Sequence, residues 1–591
     1  MASFETMSGM LRFIAKSYRN PCMLNYRERG IWKHISTKRL VDYVERIALG
    51  LQTLGIKRGD CVGIMGPSDA HWVLFDLAVM MSGAVSVPVF VNISKDNLLY
   101  EMRDSSMKAI FVSGEELWQA HGKEFSALPL VIVRNIAFGQ LQSSETPVKD
   151  WEDLLHLGQK VVDVDPQRAE RLGADFVASD LLTIMYTSGS TGVPKGVELT
   201  HGNLASQVSG LLEIWPFKSW EDKGLSILPL AHVFGRANAY LMLTAAVSIY
   251  FADDLKKLRE LCRELEPTIL SIVPRVLEKI YAYLLVRVQE ADLMKKALGV
   301  WAFELAKGKE ESVAKKWLQP LADKLVYSTL REAFGGKLKY VIVGGAKLDQ
   351  SLAKFFVDIG VPVYEGYGLT ETSPVIACNF PENNKPGTVG KAIPGVEIKI
   401  GAKKEILVRG PNVMRGYHRN EAATLAVLDS TGWLDTGDIG SLDGDGYLYI
   451  EGRNKELFKT SVGKYVSPVP IEQGLCKAPL VDLALVVAEG RRFVSCLIFP
   501  DFNVVKALKK QFRQEQLSDK EFLASDLVIQ EMDLVVQAVN DHLNKWERVC
   551  KWMFVPHLVS VEGEELTPTM KLRREVIETK YRGLIDELYK E

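Results

Sequence analysis

Strand-like and helix-like patterns take turns through the first 180 residues, and few architectures accept such a chain. Leu40 to Leu54 carries apolar residues at helical spacing, GIKRGD makes a turn, and Cys61 to Met65 reads as a buried strand. A strand over Ala84 to Val91, a helix over Leu98 to Ser105 and a strand over Lys108 to Val112 follow. The unit recurs around Val341 to Gly345 and Val361 to Tyr364. Placing a helix between successive apolar strands brings those strands back parallel. The pattern predicts an α/β protein of stacked layers.

Later segments differ in texture. Leu277 to Phe334 is broken only by Gly299, Gly308 and Pro320 and reads as a set of long helices. Between Arg287 and Arg331 it holds nine Lys or Arg against six Asp or Glu. That small excess reads first as a solvated helical face, with a basic face for an anionic membrane surface or an acidic partner as the alternative. From Lys385 short strands and turns take over (KPGTVG, IPGVEIKI, KEILVRGP, GDGYLYIEGR), which predicts a small β-rich subdomain. A further shift follows Arg453, after which strands at Leu483 to Val487 and Val494 to Phe499 accompany helices at Phe502 to Phe512 and Leu534 to Lys545. The predicted organisation is therefore a large unit over 1–454, with a helical insertion at 277–336 and a β-rich subdomain at 385–454, and a smaller α+β unit over 455–591. With 591 residues, and single cores rarely growing past about 300, at least two domains are required.

Composition removes several function classes. At 47% hydrophobic and 25% charged, with Gly 46 and Pro 24, the chain is neither disordered nor collagen-like. A net charge of -2 argues against a dedicated nucleic-acid binder. The seven cysteines form no C-x-x-C pair, so a disulfide framework or zinc site is not expected, and a reducing, cytoplasmic setting is. MASFETMSGMLRF lacks a basic segment followed by an apolar run, so no signal peptide is expected. Leu77 to Val91 and Ala237 to Phe251 are uncharged but too short for the roughly 20 residues of a membrane span. Each predicts a buried helix leading into a strand, and peripheral membrane contact stays open.

Chemistry concentrates first at Tyr186 to Val197, YTSGSTGVPKGV, behind the apolar strand Leu181 to Met185. Small residues let backbone N–H groups turn toward an anion, hydroxyls add donors, and Lys195 adds a positive charge. The loop reads as a phosphate cradle. It is not a P-loop, since Lys195 is followed by Gly196 and Val197 rather than Ser or Thr.

Further segments stand in order behind it: LPLAHVFGR from Leu228, VGGAKL from Val343, YEGYGLTETSP from Tyr364, GWLDTGD from Gly432, GYLYIEGRNKELFKTSVGKYVSPVPIE from Gly446 and LTPTMKLRR from Leu566. Taken together, from about Tyr26 to Tyr589, the chain resembles the superfamily of acyl- and aryl-CoA synthetases, peptide-synthetase adenylation domains and luciferases. Within it the chain is similar to long-chain fatty-acid–CoA ligases. The marks are IVPRVLEKIYAYL leading into the helical insertion, the form of LPLAHVFGR, and a stretch from Lys455 to Gly463 one residue longer than in acetate- or luciferin-type members.

The resemblance implies roles. Thr187, Ser188, Gly189, Ser190, Thr191, Gly192 and Lys195 hold the β- and γ-phosphates of ATP. Gly344, Gly345 and Ala346 line the adenine pocket and Tyr367 stacks on the base. Thr370 reaches the α-phosphate, and Glu371 holds Mg²⁺, a hard cation suited to carboxylate and phosphate oxygens. Asp438 accepts from the ribose hydroxyls with Arg453 nearby, and Lys571 bridges the attacking carboxylate and the α-phosphate. His232 sits near the acyl carboxylate and positions a neighbouring aromatic ring; an ionised carboxylate needs no general base. Lys455 is the hinge of a mobile C-terminal domain, and Gly463 the point where pantetheine enters. Alone, Asp438 would be a turn aspartate and Lys571 a solvated lysine; the ordered set is what assigns them. One position departs from certain bacterial relatives: their gating tryptophan, two residues after the position of Phe234, is here Arg236.

The implied reaction joins a long-chain fatty acid, ATP and CoA to give acyl-CoA, AMP and pyrophosphate. The nearest rival delivers the acyl group to the phosphopantetheine of acyl carrier protein. That acidic partner favours a basic docking face, whereas 455–591 holds 20 Lys or Arg against 21 Asp or Glu. A non-catalytic acyl or nucleotide sensor would be expected to lack a key residue, yet Thr370, Glu371, Asp438 and Lys571 are all present.

Overall fold

The computed structural model describes the chain except residues 1–3, 138–146, 189–193, 255–256, 290, 308–312, 454–457, 462–463, 562, 568–571 and 591, and except the side chains of 188, 307, 313–317, 459 and 465. Two large sheets dominate the described residues. The first runs in the order Lys391–Ala392, Val375–Cys378, Val363–Gly368, Tyr340–Val343, Ile269–Ile272, Lys223–Ser226, Ser248–Phe251, Leu24–Glu28 and Ile31–Ile35. Its central strands, from Val363–Gly368 to Leu24–Glu28, are parallel. The second is parallel from Leu181–Ser188 through Val85–Val89, Cys61–Met65, Ala109–Ser113 and Leu130–Arg134 to Val148–Asp150. At its other edge Pro194–Thr200 returns antiparallel to Leu181–Ser188, and Gly416–Tyr417 pairs beyond it.

Helices fill the space between the sheets. All thirteen residues of helix Ala70–Ser82 are buried, as an all-round apolar helix requires. Asp69 caps its start by accepting from the Trp72 N–H, and Gly83 ends it at φ +85°, a conformation glycine adopts without a Cβ clash. One buried cluster joins this helix to Thr37–Thr53, to Tyr240 and Leu243 of Val233–Thr244, to Val62 and Phe111 of one sheet and to Ile249 and Phe251 of the other. Phe75 and Phe111 stack with centroids 4.4 Å apart within it. Truncating such a side chain typically costs about 3–5 kcal/mol. Both uncharged segments are thus buried helices entering strands, and no helix among the described residues is long and apolar enough to cross a membrane.

The helical insertion comprises Pro274–Gln289, Leu293–Lys307, Val313–Ala322 and Ser328–Glu332. Pro320 lies inside the third helix, and a π-helical turn at Asp323–Tyr327 follows it. The β-rich stretch forms an antiparallel sheet of Glu397–Ile400, Glu405–Arg409, Leu434–Leu442 and Leu448–Arg453. It is also woven into both large sheets, through Lys391–Ala392 and Gly416–Tyr417. The C-terminal part has its own sheet, Val481–Val487, Val494–Pro500 and Val549–Phe554, and its own core around Val486, Ile498 and Phe522. Its long helix is Asp526–Asn540 rather than Leu534–Lys545. The Asn540 side chain ends it by bonding both the N–H and the carbonyl of Val549 at 2.8 and 2.9 Å. That clamp, made to a residue nine positions on, is invisible to helical periodicity.

Candidate active site

Three loops at the carboxyl ends of parallel strands of the first sheet build one side of the site. Lys223–Ser226 leads to His232, Tyr340–Val343 leads directly to Gly344, Gly345 and Ala346, and Val363–Gly368 leads to a 3-10 turn at Thr370–Thr372. Ligand sites in α/β sheets form at this edge because successive loops there converge.

His232 caps helix Val233–Thr244, its Nδ1 accepting from the Phe234 N–H at 3.2 Å. In the neutral ring the proton then sits on Nε2, a donor. The Phe234 ring lies beside Gly344, where an added Cβ would stand 3.4 Å from it and 3.3 Å from the Gly366 carbonyl. Gly345 adopts φ +83°, which favours glycine. The loop is therefore thin where the chain passes close to a second backbone.

Tyr367, Asp438 and Arg453 meet. The Tyr367 hydroxyl donates to Asp438 Oδ2 at 2.6 Å, and Arg453 Nε to Oδ1 at 2.8 Å. Asp438 and Arg453 are register partners in the antiparallel pair Leu434–Leu442 and Leu448–Arg453. Burial, then the adjacent Asp438 charge, raises the Tyr367 phenol well above its usual value, so it remains a donor. Asp438 is 4% exposed, and each of its oxygens keeps a lone pair for a further donor.

Around the phosphate loop, the strands on either side pair as a hairpin, with Thr187 opposite Lys195 and Ser188 opposite Pro194. Thr187 Oγ1 donates to the Lys195 carbonyl at 3.4 Å. Lys195 Nζ stands 5.0 Å over the Tyr417 ring, and the Tyr417 hydroxyl donates to Glu371 Oε1 at 2.8 Å. Burial and Glu371 together raise that phenol's pKa, which keeps its proton in place. A cavity of 130 Å³ opens here, lined by Tyr100, Asp104, Lys195, Tyr417 and Arg419 among others. It is too small for a nucleotide, whose sites run to about 300 Å³ or more. A larger groove of 650 Å³ between Phe4 and Pro411 shares none of these groups.

No cluster of three or more His, Cys, Asp or Glu suited to a metal is present among the described residues. A cation at Glu371 would take its remaining ligands from phosphate and water, which is how Mg²⁺ is commonly bound. The single free oxygen of Glu371 fits that mode.

Of the residues singled out by sequence, Thr187, Lys195, His232, Gly344, Gly345, Ala346, Tyr367, Thr370, Glu371, Asp438 and Arg453 gather at this edge of the molecule. For Ser188 only the backbone is placed, and Gly189, Ser190, Thr191, Gly192, Lys455, Gly463 and Lys571 lie outside the described residues. Sequence reasoning missed Tyr417. A lone tyrosine in RGYHRN carries no local signal, and only its pairing with Pro194–Thr200 brings it to the site. Arg236 is no exposed gate. It is 1% exposed and bound to Asp76 Oδ1 and Oδ2 at 2.7 and 2.9 Å.

Residues 13–418 match the family model described as AMP-binding enzyme, and residues 456–591 match that described as AMP-binding enzyme C-terminal domain. A long-chain-fatty-acid–CoA ligase of Mycobacterium bovis is 32% identical over 569 residues, spanning 95% of this chain and 93% of that protein. A chloroplastic long-chain-fatty-acid–[acyl-carrier-protein] ligase of Arabidopsis thaliana is 29% identical over 623 residues, spanning 94% of this chain and 82% of its own. The crystal structure of the adenylation domain of a carboxylate reductase from Mycobacterium chelonae aligns with a TM-score of 0.78 at 20% identity, covering 100% of this chain and 92% of that one. That likeness speaks to the fold alone.

Proposed function

Because the chain belongs to the family of AMP-binding enzymes, we propose that it activates a long-chain fatty acid with ATP and transfers the acyl group to the thiol of CoA. The fatty carboxylate attacks the α-phosphorus, forming the acyl-adenylate and expelling pyrophosphate. The thiol then attacks the acyl carbonyl, the thioester forms and AMP leaves. The observation that carries this reading is that Lys195 from the second sheet and Asp438 from the small antiparallel sheet meet Glu371 and Tyr367 at the carboxyl edge of the first sheet, where His232 also stands.

Both partners in the first step are anions, so fixed cations and donors are the main need. Lys195 supplies charge beside the phosphates. The face of Tyr367 is the wall for adenine while its hydroxyl holds Asp438 for the ribose. Gly344, Gly345 and Ala346 leave room for the base, and Thr370 contacts the α-phosphate. With Nδ1 accepting from the Phe234 N–H, Nε2–H of His232 would offer the acyl carboxylate a donor rather than a base. Mg²⁺ held by Glu371 would neutralise phosphate charge when bound. Lys571 would complete the charge around the α-phosphate, Lys455 would be the hinge near the start of the C-terminal domain, and Gly463 would admit pantetheine.

The long acyl chain is favoured by the names of the relatives that align over most of their length. The second of those names favours acyl carrier protein as an alternative acceptor. Peripheral membrane contact would use the helical segment, where Leu293 and Met294 are 89% and 83% exposed beside Lys295 and Lys296. The test is exchange of labelled pyrophosphate into ATP, followed by thioester analysis with CoA and acyl carrier protein in competition. Oleate or palmitate is expected to drive Mg²⁺-dependent exchange with acetate much poorer, AMP as the nucleotide product and CoA as the acceptor. Exchange strong with acetate and absent with long chains would remove the fatty-acid assignment; ADP as product would remove adenylation.

A further inference from the structure

Lys195 and Glu371 carry opposite charges in one site, yet no ion pair joins them in the described structure. Oppositely charged side chains left adjacent tend to collapse into a direct pair, which would blunt both for a ligand. Tyr417 stands between them. Its ring face lies beneath the Lys195 ammonium at 5.0 Å, and its hydroxyl holds one oxygen of Glu371 at 2.8 Å.

Tyr417 is itself firmly placed. It pairs with Val197, and its neighbour Gly416 with Glu198, on the strand that leaves the phosphate loop. Its N–H donates to Thr424 Oγ1 at 2.9 Å. Nearby, the Met414 N–H donates to the Glu371 carbonyl at 2.8 Å, so the same short segment fixes the backbone and the side chain of Glu371. A carboxylate with one oxygen tied to a phenol is restricted in rotation and offers the other oxygen in a set direction. Groups that orient a metal-binding side chain in this way typically govern metal affinity by 10- to 100-fold. A cation over an aromatic face keeps its charge without having a carboxylate partner.

We propose that Tyr417 is the positioning residue for the magnesium-nucleotide: its hydroxyl orients Glu371 toward the cation and its ring holds Lys195 toward the phosphates. The inference rests on the ATP-dependent reading above.

Two variants separate the arms. Tyr417→Phe keeps the ring, the backbone pairing and the site under Lys195, and removes only the hydroxyl. Tyr417→Leu removes both. The readout is binding rather than turnover: the melting temperature with ATP and no fatty acid, titrated with Mg²⁺, beside an ATP titration in EDTA and the melt without ligand. For Tyr417→Phe the half-saturating Mg²⁺ concentration is expected to rise about ten-fold or more, with metal-free ATP binding unchanged. For Tyr417→Leu both are expected to weaken. A Tyr417→Phe protein with the wild-type Mg²⁺ midpoint would overturn this proposal while leaving the reaction intact. A wild-type protein whose melt ignores both ATP and Mg²⁺ would overturn the underlying reading with it.

Discussion

Glu101 shows how far a single residue can depart from its usual chemistry. It is 5% exposed on helix Lys95–Asp104, and burial pushes its carboxyl up to about 8 from 4.5. Below pH 4.5 both folded and unfolded chains hold the proton. Between 4.5 and 8 the unfolded chain loses it first, so folding stability falls as pH rises through that window. Glu101→Gln is therefore expected to melt close to wild type at pH 5 and increasingly above it toward pH 8, followed by calorimetry across that range. Parallel melting curves for the two proteins would show that Glu101 ionises freely in the fold. At the active site, legibility depended on neighbours in sequence. The sequence pointed to Lys195 through the Gly- and Ser-rich loop around it, and to Asp438 only through the ordered set of motifs that carries the resemblance. It did not point to Tyr417, since what gives that residue a role is a hydroxyl on Glu371, 46 residues away.

Helix Val233–Thr244 joins the site to the core. Its first turn presents His232 and Phe234, while one turn further on Arg236 is clamped by Asp76, Ser86, Thr183 and Tyr240, all buried. Thr183 lies on the strand that enters the phosphate loop, so the guanidinium ties that strand to the helix. Breaking a buried pair by removing one partner strands the other charge, a loss of about 3–5 kcal/mol. Arg236→Met should lower stability by that order, and adding Asp76→Asn should restore a good part of it, as measured by denaturant unfolding. No recovery in the double variant would mean that the loss comes from packing rather than from the stranded carboxylate. The helix itself was legible as an uncharged apolar run entering a strand. Its buried arginine was not, because periodicity reports which face is apolar and not which polar group is satisfied.

Two units share the work at the scale of the molecule. Where they meet, Arg275 binds Asp482 Oδ1 at 2.6 Å, Lys477 binds Asp349 at 2.8 Å, and Gln473 donates to the Lys347 carbonyl at 2.7 Å. Asp349 and Lys347 follow directly on the Gly344–Ala346 loop, so the C-terminal part rests against the proposed adenine pocket. Polar, partly exposed contacts of this kind suit an interface that opens and closes. If the C-terminal domain carries Lys571 to the α-phosphate for adenylation and away for the thiol step, Lys571→Ala should lower pyrophosphate exchange on the order of 10²–10³-fold. Thioester formation from supplied acyl-adenylate should be spared. Equal losses in both half-reactions would make the lysine structural or the domain fixed.

What the sequence determined by itself was local and ordered: strands such as Cys61–Met65 where apolar runs are short, helices where spacing repeats, and chemistry where small and charged residues cluster between them. Those signals act over a few residues, through backbone sterics and burial of one face. The tertiary structure decided which distant segments touch. Gly416–Tyr417 completes the edge of the second sheet, Tyr417 reaches Glu371 46 residues away, and Asp76 neutralises an arginine 160 residues away. Each such contact depends on how two sheets and the helices between them fill space. Packing sets that arrangement, and no window of the chain records it.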